Sequence, residues 1–212
     1  FFFQAEDGIR DTELWLEFRR VLFRSLDMSG NVIRKYSNKK DESIKPFPGG
    51  APASPVIPAE AGMNRFGWDY KTEALPDVPG VYVYGDLGGH RVAPGRYKAR
   101  IKFKNEMSET EFDLVADPNL VNVTAADWTA QQQVIQQAED GLRDIHNSVN
   151  NMRKVKKQIE GYNELLKNDP NAKELINSGK EIIRKLDKWE KELIEPRSKN
   201  FQDVINFENK LN

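Results

Sequence analysis

An apolar repeat in the C-terminal half constrains this chain more than any other feature. Ile135, Ala138, Leu142, Ile145, Val149 and Met152 follow one another at steps of 3, 4, 3, 4 and 3. That spacing places all six on one stripe of an α-helix and on no single face of a strand. Val155, Ile159, Tyr162 and Leu166 carry the row on, with a second consecutive step of 3 at Met152–Val155 that reads as a coiled-coil stammer. Thr124-Ala125-Ala126-Asp127 offers a capping box at the helix start, a hydroxyl and an acid for the orphan amides. Asn168-Asp169-Pro170 breaks the helix, and Asp169 can cap a second one with Pro170 in its first position. Leu175, Gly179, Ile182, Leu186, Trp189 and Leu193 then form a second stripe, and Glu195-Pro196 ends it because the residue before proline is pushed out of the α region.

The short Lys167–Pro170 connection implies an antiparallel helical hairpin. Its predicted seam sets Ile135, Leu142, Ile145 and Val149 against Leu175, Ile182, Leu186 and Trp189. A first helix of about 44 residues is roughly 66 Å long, and a second of about 25 is roughly 38 Å, so the second cannot reach the start of the first. Apolar residues from Trp128 to Ala138 must therefore meet something else. Two helices alone bury both stripes poorly, so a third helix or another domain is expected against them.

Upstream the period changes to two. Tyr97, Ala99, Ile101 and Phe103 alternate with Lys98, Arg100, Lys102 and Lys104, and Thr110, Phe112, Leu114 and Ala116 return after Asn105-Glu106. This predicts a hairpin with one buried and one solvated face. Val32–Tyr36 reads as a short strand after a Ser29-Gly30-Asn31 turn, and Phe66 and Trp68 alternate with polar neighbours on another. Val81–Tyr84 reads as a short edge strand. Residues 37–61 and 71–95 are rich in Pro and Gly and read as long loops. About five short strands suit a small antiparallel β-sandwich. The expected fold class is thus α+β, a small Ig-like sandwich followed by a long helical hairpin. The expected divisions are 1–25, a β domain over 26–120 incomplete at its start, the hairpin over 121–196, and a truncated further segment over 197–212.

Residues 1–25 stand apart. They open on Phe1-Phe2-Phe3, carry charges through every apolar run and lack the basic start of a signal peptide. Gln4–Asp11 and Leu16–Ser25 back-translate into strings that resemble the ends of a common sequencing-library adapter. The expectation is a non-native segment that packs on nothing native.

Composition excludes several kinds of chemistry. There are no cysteines and 2 histidines, so no disulfide scaffold, zinc ribbon, thiol nucleophile or three-histidine metal site can form. With 32 Lys+Arg against 33 Asp+Glu, a generic nucleic-acid surface is not expected. No apolar run approaches the roughly 18 residues of a membrane span. His90 and His146 lack ligand-spaced partners. Gly85-Asp86-Leu87-Gly88-Gly89 lacks the Lys-Ser/Thr tail of a phosphate loop and reads as a turn. Arg153-Lys154-Val155-Lys156-Lys157 reads as a solvated helix face, Asn122-Val123-Thr124 as an isolated sequon, and Trp68 as core. No catalytic, cofactor-binding or metal-ligating residue is assigned. Tyr82 and Tyr84, with Trp68, are the aromatics that a sugar-stacking platform would need.

Four motifs in order carry a family resemblance: Asp27-Met28-Ser29-Gly30-Asn31-Val32-Ile33-Arg34, Ala61-Gly62-Met63-Asn64-Arg65-Phe66-Gly67-Trp68-Asp69, Val92-Ala93-Pro94-Gly95-Arg96-Tyr97-Lys98-Ala99, and Ala116-Asp117-Pro118-Asn119. They resemble the Ig-like domain of flagellar hook-capping proteins. More closely, they resemble the C-terminal region of bacterial sortilin-like β-propeller proteins of the BNR or Asp-box glycosyl hydrolase type, where a long helical pair follows. The resemblance implies an exported, non-catalytic accessory region that supports an upstream propeller or mediates assembly. Its partners would be that propeller and a following C-terminal segment of the same chain. The alternatives are a piece of a carbohydrate-active enzyme or a carbohydrate-binding module, with carbohydrate as the partner.

Overall fold

A computed structural model describes residues 2–5, 21–42, 45–200 and 202 of the 212. A four-stranded antiparallel sheet is followed by two helices, so the class is mixed α+β. The chain divides into two compact units. The first holds the strands and the helix start through Ile135; the second holds residues 46–51, 75–87 and the helices from Gln136 on.

In the first unit β1 (Phe2–Ala5) pairs antiparallel with β4 (Gly62–Arg65). The larger sheet has the order β3-β2-β5-β6, with β2 at Val21–Leu26, β3 at Val32–Ser37, β5 at Gly95–Phe103 and β6 at Glu106–Leu114. The alternation in β5 and β6 is realised as the period-2 pattern requires. Tyr97 faces Phe112 in register and Ala99 faces Thr110. The other face carries Arg96–Asp113 at 3.1 Å, Lys98–Glu109 at 3.4 Å and Arg100–Glu109 at 2.7 Å. Exposed pairs of this kind set register more than they add stability.

Val21–Ser25, expected to pack on nothing, form most of the inner strand instead. Phe23 is flanked by Tyr36 on β3 and Ile101 on β5, and Val21 and Phe23 are almost wholly buried. The reason is local: Val21, Phe23 and Ser25 alternate with Leu22 and Arg24, which suits a strand buried on one face. The fit is imperfect. Ser25 Oγ and Arg24 Nε are buried without a hydrogen-bond partner among the described residues, as is Arg34 Nε on the neighbouring strand.

The apolar face of the sheet is covered by chain with little regular structure. Ile57, Trp68 and the half-buried Ala59, Phe66 and Val92 close over Val21, Phe23, Tyr36 and Ala99. Trp68 is 6% exposed and packs edge-on against Tyr70, Tyr97 and Phe112 at centroid distances of 5.7, 6.1 and 6.1 Å. Its indole N–H donates to the Lys71 carbonyl at 3.0 Å, which satisfies the one polar atom the ring carries. Phe66 meets Phe23 and Tyr36 in the same cluster, although β4 ends at Arg65 before either aromatic. Burial pushes the Tyr36 phenol well above its ordinary pKa, and the neighbouring Asp69 carboxylate adds to the shift.

Helix α1 spans Ala125–Leu166 and α2 spans Lys173–Leu193, with a 3₁₀ turn at Pro170–Ala172 between them. The capping box forms as read. Asp127 accepts from the Thr124 amide at 2.8 Å and hydroxyl at 2.7 Å, and its own amide donates back at 3.3 Å. Those bonds hold the Asp127 carboxyl below its usual range. Asp169 accepts from the Asn171 amide at 2.9 Å and caps the turn.

The inter-helix seam differs from the predicted one. Val155 and Tyr162 are 44% and 65% exposed, and Leu175, Ile182 and Trp189 are 62%, 46% and 53% exposed. The covered positions run Met152, Arg153, Lys156, Ile159, Asn163 and Leu166 on α1, and Ile176, Gly179, Ile183, Leu186, Asp187, Glu190 and Leu193 on α2. Met152, Lys156, Ile159, Asn163 and Leu166 keep a 4, 3, 4, 3 rhythm, with Arg153 beside them. Polar residues enter the seam because they find partners across it: Arg153–Glu190 at 2.7 Å and Lys156–Asp187 at 2.6 Å. Gly179 is needed for close approach, since a Cβ there would lie 2.8 Å from the Asn163 side chain.

Truncating Trp68 to Ala should cost about 3–5 kcal/mol, as aromatic truncations in cores do. Denaturant unfolding of the full chain measures it. A native fluorescence maximum typical of water-exposed indole from a variant retaining Trp68 alone would contradict the burial.

Candidate interaction surfaces

The second unit is built around a segment that has no helix or strand. Val81–Tyr84, predicted as an edge strand, is irregular, and Val78, Val81, Val83 and Leu87 around it are nearly fully buried. Leu75, Val83 and Leu87 cluster with Leu142, while Val78 and Val81 cluster with Val149 and Ile194. The spacing predicts Leu142, Ile145 and Val149 in the inter-helix seam; this segment packs on them instead. A strand partner is not required because α1 supplies the hydrogen bonds. His146 Nδ1 donates to the Pro76 carbonyl, Asn150 to the Asp77 carbonyl at 2.7 Å, and Arg153 to the Pro79 carbonyl at 2.8 Å. The steps of 4 and 3 place these three donors on one helix flank, level with an extended run of carbonyls. The segment's own amides are met as well: Val83 N–H donates to Gly49 O at 3.2 Å and Tyr82 N–H to Ser198 O at 3.0 Å. Gly49 has φ +75, and a Cβ there would sit 2.6 Å from the Tyr82 ring.

Among the described residues the opposite flank of the helix pair is open. Val155 and Tyr162 each precede a seam residue, Ile159 or Leu166, by four positions. Leu175, Ile182 and Trp189 precede Gly179, Leu186 and Leu193 by the same four. In two right-handed helices running in opposite directions, such residues fall on the same side of the pair. The ion pairs Arg153–Glu190 and Lys156–Asp187 set the level, so Val155 lies near Trp189 and Tyr162 near Ile182. The result is one apolar row of five large side chains, flanked by the exposed charges Glu174, Glu181, Lys185 and Lys188.

In the first unit an open cavity of about 500 Å³ lies between the end of β6 and the start of α1. Tyr70 and Trp128 line it, with Val92 and Leu114 as apolar walls and Arg91 and Gln131 as polar groups. The exposed Arg91 guanidinium has no ion-pair partner among the described residues. Trp128 and Ile135 thereby find the β residues that the length mismatch of the helices demanded. Tyr70 holds a positive φ of 63.

The residues singled out from sequence fall into structural roles. His90 Nε2 donates to Gln132 Oε1 at 3.1 Å, while its amide donates to the Thr72 hydroxyl at 3.1 Å. His146 is wholly buried on the Pro76 carbonyl. Within residues 85–89, Leu87 and Gly88 are buried while Gly85 and Asp86 are exposed. In the basic run, Arg153 and Lys156 are seam residues and not solvated as expected, while Lys154 and Lys157 are exposed. The Asp187 carboxylate holds the Lys156 ammonium above the usual lysine range. Thr124 of the sequon spends its hydroxyl on the helix cap. Trp68 is core, and Tyr84 is half exposed in the other unit. Among the described residues no group of three or more His, Asp or Glu is placed to hold a metal, and no helix is long and apolar enough to cross a membrane. No family model, curated protein or solved structure matches this chain.

Replacing Asn150 by Leu removes the donor to the Asp77 carbonyl while keeping the volume. Chemical denaturation should show a loss of about 1–2 kcal/mol, the cost of a partly buried acceptor left unmet. The exposed Asn147→Leu should stay within about 0.5 kcal/mol. Equal effects at the two sites would argue against the carbonyl ladder.

Proposed function

We propose that this chain is a non-catalytic accessory region whose role is assembly. In this reading the first unit is an Ig-like sandwich, and the two helices are the hairpin that follows such a domain in bacterial sortilin-like propeller proteins. The observation that carries it is the open apolar row of Val155, Tyr162, Leu175, Ile182 and Trp189. An isolated exposed apolar residue is ordinary, but five aligned along one flank of a rigid helix pair form a docking strip. The order of the motifs and the helical pair after the β unit support the family resemblance. The histidines and the buried aromatics are occupied by structural contacts, whereas the five residues of this strip stay exposed among the described residues.

The test is energetic. The triple variant Leu175→Gln/Ile182→Gln/Trp189→Gln, unfolded at submicromolar concentration, should keep its folding stability within about 0.5 kcal/mol per site. A loss above about 4 kcal/mol for the three together would mean that the strip is covered within the chain, and the assembly reading would fall.

A second reading, carbohydrate binding, is favoured by the Tyr70–Trp128 cavity. Two aromatic rings with a guanidinium and an amide beside them are the groups that stack on and hydrogen-bond to a sugar. Titration with neutral and acidic oligosaccharides, followed by indole fluorescence, should then give saturable binding that Trp128→Ala lowers at least about tenfold. Saturable binding unaffected by Trp128→Ala would remove the cavity as the site.

A further inference from the structure

The strip has a charge order that selects its partner. Along α2 the apolar residues Leu175, Ile182 and Trp189 are spaced by seven, so they form one line with Ile182 at the centre. The exposed acids Glu174 and Glu181 border the first half of that line, and the exposed bases Lys185 and Lys188 border the second half. Glu174, Glu181 and Lys185 have no ion-pair partner among the described residues; Lys188 makes a surface contact with Glu192 at 3.8 Å. A twofold axis through Ile182 sets α2 antiparallel to a second α2. It stacks Ile182 on Ile182, Leu175 against the larger Trp189, Glu181 near Lys185 and Glu174 near Lys188. Glu174, Glu181, Lys185 and Lys188 then each face an opposite charge from the same sequence, while the exposed Glu192 stays beside Lys188 of its own helix.

We propose that the strip is a homodimer interface, α2 against α2 in antiparallel order about Ile182, with Val155 and Tyr162 closing its edge. This rests on the assembly reading above and names its partner, a second copy of this chain. The five side chains expose on the order of 500 Å², taking the lower part of the roughly 150–250 Å² range of an aromatic for the three aliphatic residues and scaling by the exposed fractions. That is in the upper half of the range for the largest patch on an ordinary monomer. With the charged rim it approaches the roughly 800 Å² per partner of a stable interface. A self-complementary patch of this kind is what an isologous twofold contact requires.

Sedimentation velocity on the full chain across a concentration series tests the proposal. The parent should dimerise. Ile182→Glu should weaken the dimer by at least about 30-fold, since a charge would face its own copy at the centre of the contact. E181K should weaken it by about 5- to 20-fold, because each of two symmetric sites would then hold two lysines. The double variant E181K/K185E should restore the parent value, which a nonspecific apolar contact would not do. A dimer indifferent to Ile182→Glu overturns the proposal, as does one that the double variant leaves as weak as E181K alone. A parent that stays monomeric also overturns it. In that case the triple Gln variant separates two failures: unchanged folding stability leaves the assembly reading standing with a different partner, while a large loss removes both.

Discussion

Hydrogen bonding of unpaired backbone is the constraint on which the second unit depends. Residues 75–87 carry Pro76, Pro79 and Gly80, which disfavour a regular ladder, yet Val78, Val81, Val83 and Leu87 must be buried. Apolar side chains can only enter the core if the carbonyls beside them are met. His146, Asn150 and Arg153 meet three of them, and Val149 fills the space between. The polar flank of α1 thus makes an irregular segment behave as a packing layer. Each donor starts from a backbone position fixed by the helix, which sets the spacing of the three bonds.

The same segment decides which face of the helix pair stays open. It covers Leu142, Ile145 and Val149, residues whose spacing alone suits an inter-helix seam. The seam rotates toward Lys156, Asn163, Gly179 and Glu190, where ion pairs and a glycine permit close approach. Val155, Tyr162, Leu175, Ile182 and Trp189 are displaced outward as a consequence. The apolar strip and the buried segment are two results of one rotation.

In the first unit a one-sided sheet is closed by Ile57, Phe66 and Trp68 rather than by long strands. Its inner strand contains Val21–Ser25, which the sequence alone leaves outside the fold, and it pairs along its length with β3 and β5. Backbone pairing asks only for extended geometry, and alternation asks only for Val21 and Phe23 at every second position. Its buried polar atoms, Ser25 Oγ and Arg24 Nε, mark the positions where that strand suits its site least.

The sequence by itself determined the elements whose signal is local. The capping box at Thr124–Asp127, the break at Asp169-Pro170, the β5–β6 hairpin and the burial of Trp68 were all legible, because each rests on a few neighbouring residues. Periodicity also placed each apolar stripe on its helix. It could not say which part of a stripe meets which neighbour, because the row drifts around the helix, so that Leu142 and Val155, 13 residues apart, lie about 140° apart and can be covered by different elements. Nor could it give Val81–Tyr84 to the helices, since a short β-branched run bounded by Pro and Gly reads as a strand until its donors are known to be His146, Asn150 and Arg153. Those bonds join residues about seventy positions apart. Only the tertiary structure decides such pairings, because a side-chain donor and a carbonyl recognise each other by proximity and not by any pattern along the chain.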